Sequence, residues 1–276
     1  MFAYHGMSRG LPEIARAGLL NASVIPSPRD FIRMNPDLPA VLVSGASSGI
    51  GRSIAITCSE MGASLIITGR NTYELKKTLS QLKGEGHALI EADLNSESDL
   101  DNLVKELPAL DGVVSNAGIN RRTLCKYIKE NDLDLIMKTN LTSPILLIKR
   151  LLKSRKINSG ASVIFISSIA AYHSSIGDGA YSATKGAIVS YSKVLALELA
   201  GSKIRVNTIQ PGMIRTSLLE NGPLSAEDYE KDEKKYPLGR YGKPEEVAYA
   251  AIYLLSDATS WITGTSLVLD GGISLI

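Results

Sequence analysis

Residues 40–56, AVLVSGASSGIGRSIAI, decide how the chain folds. An apolar, β-branched run at 40–44 leads into Gly45, Gly49 and Gly51 at the spacing G-x-x-x-G-x-G, and a helical pattern follows. Glycine lets a backbone turn tightly and come close to a ligand. The free N–H groups at a helix start, with the positive end of its dipole, favour a bound anion. At the first strand-to-helix turn this predicts a dinucleotide phosphate cradled by Gly45, Ser47, Ser48, Gly49, Ile50 and Gly51. A glycine turn alone is also an ordinary way to join a strand to a helix, so the rest of the chain has to support the cofactor.

Six further runs of strand character follow: SLIIT (64–68), HALIE (87–91), GVVS (112–115), SVIFIS (162–167), IRVNTI (204–209) and SLVLD (266–270). Helical stretches separate most of them. Repeated βα units with buried strands predict an α/β fold, a doubly wound (Rossmann) parallel sheet of about seven strands with helices on both faces and right-handed crossovers. No repeat or low-complexity tract breaks residues 40–276, which read as a single domain. Residues 1–39 stand apart, with Pro12, Pro26, Pro28, Pro36 and Pro39 and no long periodic stretch. They read as a loosely ordered N-terminal extension with one short helix around Glu13 to Leu20. The extension lacks the apolar core of a secretory signal. Its four arginines leave a transit peptide open, and Met34 leaves open an upstream start.

Composition narrows the function. In 276 residues, 44% are hydrophobic and 21% charged, which describes a globular chain rather than a disordered one. A net charge of +2 gives no reason to expect a nucleic acid, and the apolar runs are strand-sized, so no membrane span is expected. The two cysteines, Cys58 and Cys125, form no C-x-x-C, and the histidines do not cluster, so no metal site is expected. Reduced thiols and a cytoplasmic location fit that usage. A small molecule is the expected partner.

Beyond the glycine turn, the second strand ends in Gly69, Arg70 and Asn71, with Gly69 eighteen residues after Gly51. An acid there would select NAD through the ribose 2′-hydroxyl, whereas arginine suits a 2′-phosphate, so NADP(H) is favoured over NAD(H). The plain alternative is a surface arginine after a strand. Asp93 and Leu94, after the third strand, are expected at the adenine. Asn116, Ala117 and Gly118, after the fourth, are expected on the nicotinamide side. Tyr181 and Lys185 lie four residues apart in the helical stretch AYSATKGAIVSYSKVLALELA and share a face. A lysine ammonium beside a phenol favours the phenolate, so Tyr181 is expected to have a lowered pKa suited to acid–base work. Ser168 is the candidate to hydrogen-bond the reacting oxygen. Tyr-x-x-x-Lys alone is also common on amphipathic helices.

Taken in order, these motifs make the chain resemble the short-chain dehydrogenase/reductase family, particularly its 3-oxoacyl-carrier-protein reductases and tropinone-reductase-like members. The likeness runs from about Ala40 to the end. SGASSGIG stands for the family's T-G-x-x-x-G-x-G and SNAG (115–118) for N-N-A-G, followed by Asn140 in KTNLTS, then Ser168, Tyr181, Lys185 and PGMIRT from Pro211. The resemblance implies a catalytic set of Asn140, Ser168, Tyr181 and Lys185, the serine being the one thirteen positions before the tyrosine. It implies that Tyr181 and Lys185 also meet the cofactor, that Asn140 holds a water, and that Pro211, Gly212, Ile214 and Thr216 lie near the nicotinamide. It makes Ser217 to Tyr236 the substrate loop, hinged at Gly222 and Pro223, with the run EDYEKDEKKY as a solvated helix face or part of a lid. Arg121, Arg122 and His173 would lie near the cleft, solvated side chains being the plainer alternative for them.

A homotetramer or homodimer is implied as well, with Ala187, Val194, Leu195 and Leu199 as outward-looking residues of the long helix. Four positions depart from the family pattern or from that of its NADP-using members. Ser44 replaces threonine and keeps a hydroxyl to cap the turn. Ser115 replaces asparagine, keeping one bond to the neighbouring strand. Ser47 and Ser48 stand where NADP-using relatives often carry a basic residue, so the 2′-phosphate depends on Arg70. The expected reaction is hydride transfer between nicotinamide and a carbonyl or secondary alcohol, with a 3-oxoacyl thioester among the substrates. The alternatives are a non-catalytic NADP(H)-sensing module and an epimerase or dehydratase using the cofactor transiently. Against the last of these, only a short tail follows Pro211.

Overall fold

Strand β1 (Ala40–Ser44) buries Val41 and Val43 on one side and Leu42 on the other, as a strand covered on both faces must. The computed structural model describes residues 40–173, 175–216 and 226–276. The N-terminal extension and much of the expected substrate loop, including Gly222 and Pro223, lie outside the described residues. The strands after β1 are β2 (Ser64–Gly69), β3 (Ala88–Glu91), β4 (Leu110–Ser115), β5 (Ile157–Ile166), β6 (Arg205–Pro211) and β7 (Ser266–Leu269). They form one seven-stranded sheet in the order β3-β2-β1-β4-β5-β6-β7, with every pair parallel. The expected doubly wound sheet is therefore present.

Helices cover both faces. On one side α1 (Gly49–Glu60) and α8 (Pro244–Leu255) bring Ile54, Cys58, Val247 and Leu254 onto Val41, Val43, Val114 and Ile164. On the other, α3 (Glu97–Glu106), α5 (Ser143–Lys153) and α6 (Gly179–Leu199) pack Leu103, Leu147, Ile188 and Leu195 onto Leu42, Val113, Phe165 and Val206. Each fully buried side chain of this size contributes roughly 1.5–3 kcal/mol. The remaining helices are α2 (Thr72–Leu79), α4 (Glu130–Met137) and α7 (Ala226–Glu233). Among the described residues no helix is long and apolar enough to cross a membrane.

The structure differs from the sequence pattern in three places. Strand β5 begins five residues before the apolar run, because Ile157 still pairs with Leu110 of β4, and residues 158–161 fall in the register shift between Leu110 and Gly112. Leu195, expected to face outward on α6, is buried in the core, while Val194 and Leu197 are 55% and 80% exposed. A π-helical turn, Lys138–Thr142, joins α4 to α5 and carries Asn140. Apolar periodicity does not report a single wide turn, and such turns often mark functional sites.

Candidate active site

Strand order reverses beside β1, where the chain moves outward to β2 and β3 and then returns to β4 on the other side. In an open parallel sheet the carboxyl ends of the strands at such a point bound a ligand crevice. The glycine turn follows β1, Asn116–Gly118 follow β4, Ser168 follows β5, and Pro211–Thr216 close β6. The fold thus collects at one edge segments that are far apart in sequence.

The glycine turn lies directly on the backbone after β4. A Cβ added to Gly45, whose φ is +65°, would sit 2.9 Å from Ala117 Cα, and one added to Gly51 would sit 2.3 Å from the Gly45 carbonyl oxygen. A side chain at Gly49 would meet Thr216 Cγ2 at 3.3 Å, so Thr216 reaches the turn as well. Asn116 Nδ2 donates to the carbonyls of Ser44 and Gly45 at 3.1 and 3.2 Å. The Ser44 hydroxyl does not cap the turn as expected. It accepts from the backbone N–H groups of Asn116 and Ala117 at 3.0 and 3.2 Å, because β4 ends beside it. Ser115, expected to keep one strand bond, makes no side-chain hydrogen bond among the described residues. Close-packed glycines beneath a helix N-terminus fit the pyrophosphate of a nicotinamide dinucleotide.

Arg70 is exposed at the end of β2, and among the described residues it makes no hydrogen bond or ion pair. Asp93 and Leu94 hold the loop after β3. The Asp93 carboxylate accepts from Asn95 N–H at 3.0 Å, and Leu94 packs against the core. Asn95, which carried no signal in the sequence, links this loop to the π turn: its amide donates to Thr139 Oγ1 at 2.8 Å and accepts from Ser143 Oγ at 2.7 Å. The Ile214 side chain is buried in the core beside α8, leaving its main chain for any ligand contact.

Asn140 is buried and grips the backbone of Ile119 at both ends: Oδ1 accepts from its N–H and Nδ2 donates to its carbonyl, each at 2.8 Å. Nδ2 also donates to Thr184 Oγ1 at 3.2 Å, on the first turns of α6. On that helix Lys185 Nζ donates to the Ile166 carbonyl at 2.8 Å and lies 5.5 Å from the Tyr181 ring centre. It also lies 3.6 Å from where a Gly118 Cβ would stand. Ser168 accepts from Ala170 N–H at 3.1 Å, and its hydroxyl lies 3.4 Å from the Pro211 carbonyl as a weak donor. Its neighbour Ser167 instead donates to the Lys185 carbonyl at 2.9 Å. The four candidates, Asn140, Ser168, Tyr181 and Lys185, thus belong to one connected set.

The electrostatics reverse one expectation. Burial raises the Tyr181 pKa above its ordinary value; a hydrogen bond from Ser168 opposes the rise, and the Asp178 carboxylate adds to it. Lys185, 5.5 Å from the ring centre and donating to the Ile166 carbonyl, does not outweigh that burial. Burial lowers the Lys185 pKa to about 8. Around the cleft, Arg121 pairs with Asp132, and Arg122 with Asp178 at 3.4 Å, while both guanidinium groups stay exposed to solvent. His173 is partly buried, its backbone N–H donating to Ile169 at 2.7 Å. The charged run at 227–236 is solvated only in part: the Tyr236 ring packs edge-on against Tyr241 at 5.3 Å, and the Tyr241 hydroxyl donates to Asp232 at 2.6 Å.

A family model described as Enoyl-(Acyl carrier protein) reductase matches residues 45–274. The chain belongs to the short-chain dehydrogenase/reductase family. It is 38% identical over 237 residues to a mouse 3-oxoacyl-acyl-carrier-protein reductase, covering 84% of this chain and 97% of that protein. It is 34% identical over 235 residues to the FabG reductase of Rickettsia felis, covering 85% and 96%. Among solved structures, a variant of actinorhodin polyketide ketoreductase with NADPH superimposes with a TM-score of 0.80 at 28% identity, covering 87% of this chain and 98% of that one. This short-chain dehydrogenase/reductase is therefore an oxidoreductase that acts on a C=O or CH–OH group with a nicotinamide cofactor.

Proposed function

We propose that the protein is an NADP(H)-dependent carbonyl reductase acting on a 3-oxoacyl thioester, with Tyr181 as its proton donor. The observation that carries this proposal is the connected set of Ser168, Tyr181, Lys185 and Asn140 beside a glycine turn with no room for a side chain at Gly45 or Gly51. When bound, the nicotinamide supplies or accepts a hydride. Gly45, Ser47, Ser48, Gly49, Ile50, Gly51, Asn116, Ala117 and Gly118 hold the dinucleotide, with Pro211, Gly212, Ile214 and Thr216 on the far side. Arg70 takes the 2′-phosphate, and Asp93 and Leu94 line the adenine.

The phenol, kept protonated by burial at neutral pH, gives its proton to the carbonyl oxygen while the Ser168 hydroxyl hydrogen-bonds that same oxygen. The Lys185 ammonium stabilises the negative charge left on Tyr181 and meets the cofactor ribose. Asn140, fixed by Ile119, holds a water that returns the proton. The free guanidinium of Arg70 supports NADP(H), as does the likeness to a polyketide ketoreductase solved with NADPH. The names of the mouse and Rickettsia relatives support the thioester. The exposed Val194 and Leu197 of α6 support self-association as a homodimer or homotetramer.

The test follows NADPH absorbance against a carbonyl panel that includes an acetoacetyl thioester. The thioester is expected to be reduced with a higher kcat/KM than simple ketones. Tyr181→Phe is expected to lower turnover by about 10³-fold or more while NADPH still binds. Arg70→Glu is expected to reverse the preference between NADPH and NADH. Substantial turnover by the phenylalanine variant would remove Tyr181 from the mechanism, and an unchanged preference would remove Arg70 from the 2′-phosphate.

A further inference from the structure

A cation in the first turn of a helix opposes the helix dipole, yet Arg52 stands in the first turn of α1. Its guanidinium is held in place from several sides. Nε donates to Thr78 Oγ1 at 3.0 Å, and one terminal nitrogen donates to the Glu74 carboxylate at 2.6 Å and to the Ser47 carbonyl. Thr78 is fully buried, and its hydroxyl lies 2.8 Å from the Ala46 carbonyl. The two carbonyls at the crown of the glycine turn, those of Ala46 and Ser47, are thus both drawn toward α2. In a trans peptide the C=O of one residue and the N–H of the next point in opposite directions. Fixing those carbonyls therefore turns the N–H groups of Ser47 and Ser48 away from α2, and among the described residues both are without an acceptor.

The same contacts reach the second recognition segment. Glu74 lies on α2, and its N–H donates to Asn71 Oδ1 at 3.1 Å, directly after Arg70. We propose that Arg52, with Thr78 and Glu74, is a positioning residue that presents the Ser47 and Ser48 amides to the dinucleotide phosphates and ties the glycine turn to the segment that bears Arg70. This rests on the assignment of the turn to NADP(H). Because NADPH and NADH share the pyrophosphate, loss of this brace weakens both, whereas loss of Arg70 weakens NADPH alone.

The experiment titrates wild type, Arg52→Lys, Thr78→Val, Thr78→Ser and Arg70→Glu with NADPH and with NADH by calorimetry, alongside thermal melts and steady-state kinetics. Arg52→Lys keeps the charge and loses the fork; Thr78→Val keeps the shape and loses the hydroxyl. Both are expected to raise Kd for the two cofactors by the same factor, about tenfold. The cofactor KM should rise in step, with kcat at saturating cofactor within about twofold of wild type. Thr78→Ser is expected to restore wild-type affinity. If Arg52→Lys does not fold, the Thr78 pair decides. Unchanged affinities in folded variants, or kcat falling in proportion to Kd, would overturn the role of Arg52 alone. A wild-type protein that binds neither dinucleotide would overturn the assignment beneath it.

Discussion

Lys185 holds its ammonium 5.5 Å from the centre of the Tyr181 ring and donates to the Ile166 carbonyl, so ammonium and phenol share one desolvated site. The two groups therefore titrate in an unusual order. Burial raises the phenol, while the lysine is lowered to about 8. As pH rises, the lysine loses its charge before the tyrosine loses its proton. Carbonyl reduction in the proposed mechanism needs both, so kcat/KM is expected to be level below about pH 8 and to fall above it. A pH profile that stays flat into the ordinary tyrosine range near ~10 would show that the lysine charge is not needed.

The same burial has a cost for folding. The unfolded chain keeps an ordinary lysine, which binds its proton more tightly than the folded protein does, so the ammonium penalises the folded state at neutral pH. Lys185→Met is expected to stabilise the protein at pH 7 by about 1–3 kcal/mol, despite the lost Ile166 bond, while activity collapses. The gain should shrink as pH rises from about 8 toward the ordinary lysine value of 10.5, above which wild type and variant alike carry no charge at this position. Urea unfolding at pH 7 and pH 10 measures this, and a variant that is less stable at both would refute it.

Asp178 closes the N-terminal end of α6, accepts from Asn120 Nδ2 at 3.1 Å and pairs with Arg122 at 3.4 Å. Its carboxylate is one of the causes that raise the Tyr181 pKa. Asp178→Asn is therefore expected to move the phenol down, and in alcohol oxidation, where the phenolate acts as base, the rising limb of the pH profile should shift to lower pH. Arg122→Ala, which leaves the carboxylate uncompensated, should move it up. Shifts in one direction for both variants would mean that loop rearrangement, not charge, governs the tyrosine.

Much of this site was legible because its chemistry is local in sequence. The glycine turn, the Tyr181–Lys185 spacing and the strand that precedes each are contained within a few residues, and the order of the segments implied the parallel sheet. What escaped depends on partners distant in sequence or on burial. Arg52 meets Glu74 and Thr78 across 22 and 26 positions, and Asn95 meets Thr139 across 44. The π turn at Asn140 leaves no mark on an apolar pattern. The direction of the Tyr181 shift was missed because the four-residue spacing reports the nearness of Lys185 but not the burial of the phenol, which dominates. A positive charge against the dipole of α1 was the one available signal that Arg52 needed a partner.

Gly51 provides the most direct test of how closely the turn is packed. An added Cβ would lie 2.3 Å from the Gly45 carbonyl oxygen and 2.5 Å from Asn116 Nδ2. The first of these is backbone and cannot rotate away. Gly51→Ala must therefore push the glycine turn off the segment after β4, breaking the Asn116 bonds to Ser44 and Gly45. A destabilisation of about 1–3 kcal/mol is expected from the overpacking, with NADPH affinity reduced by more than about tenfold. Gly201→Ala is the control. A Cβ there meets nothing within 4 Å, so stability should change by less than about 0.5 kcal/mol and cofactor binding not at all. Thermal melts and NADPH titration of the two variants separate the effects. If Gly51→Ala bound NADPH as tightly as Gly201→Ala, the turn would have room to spare, and close backbone approach would not be what makes glycine necessary there.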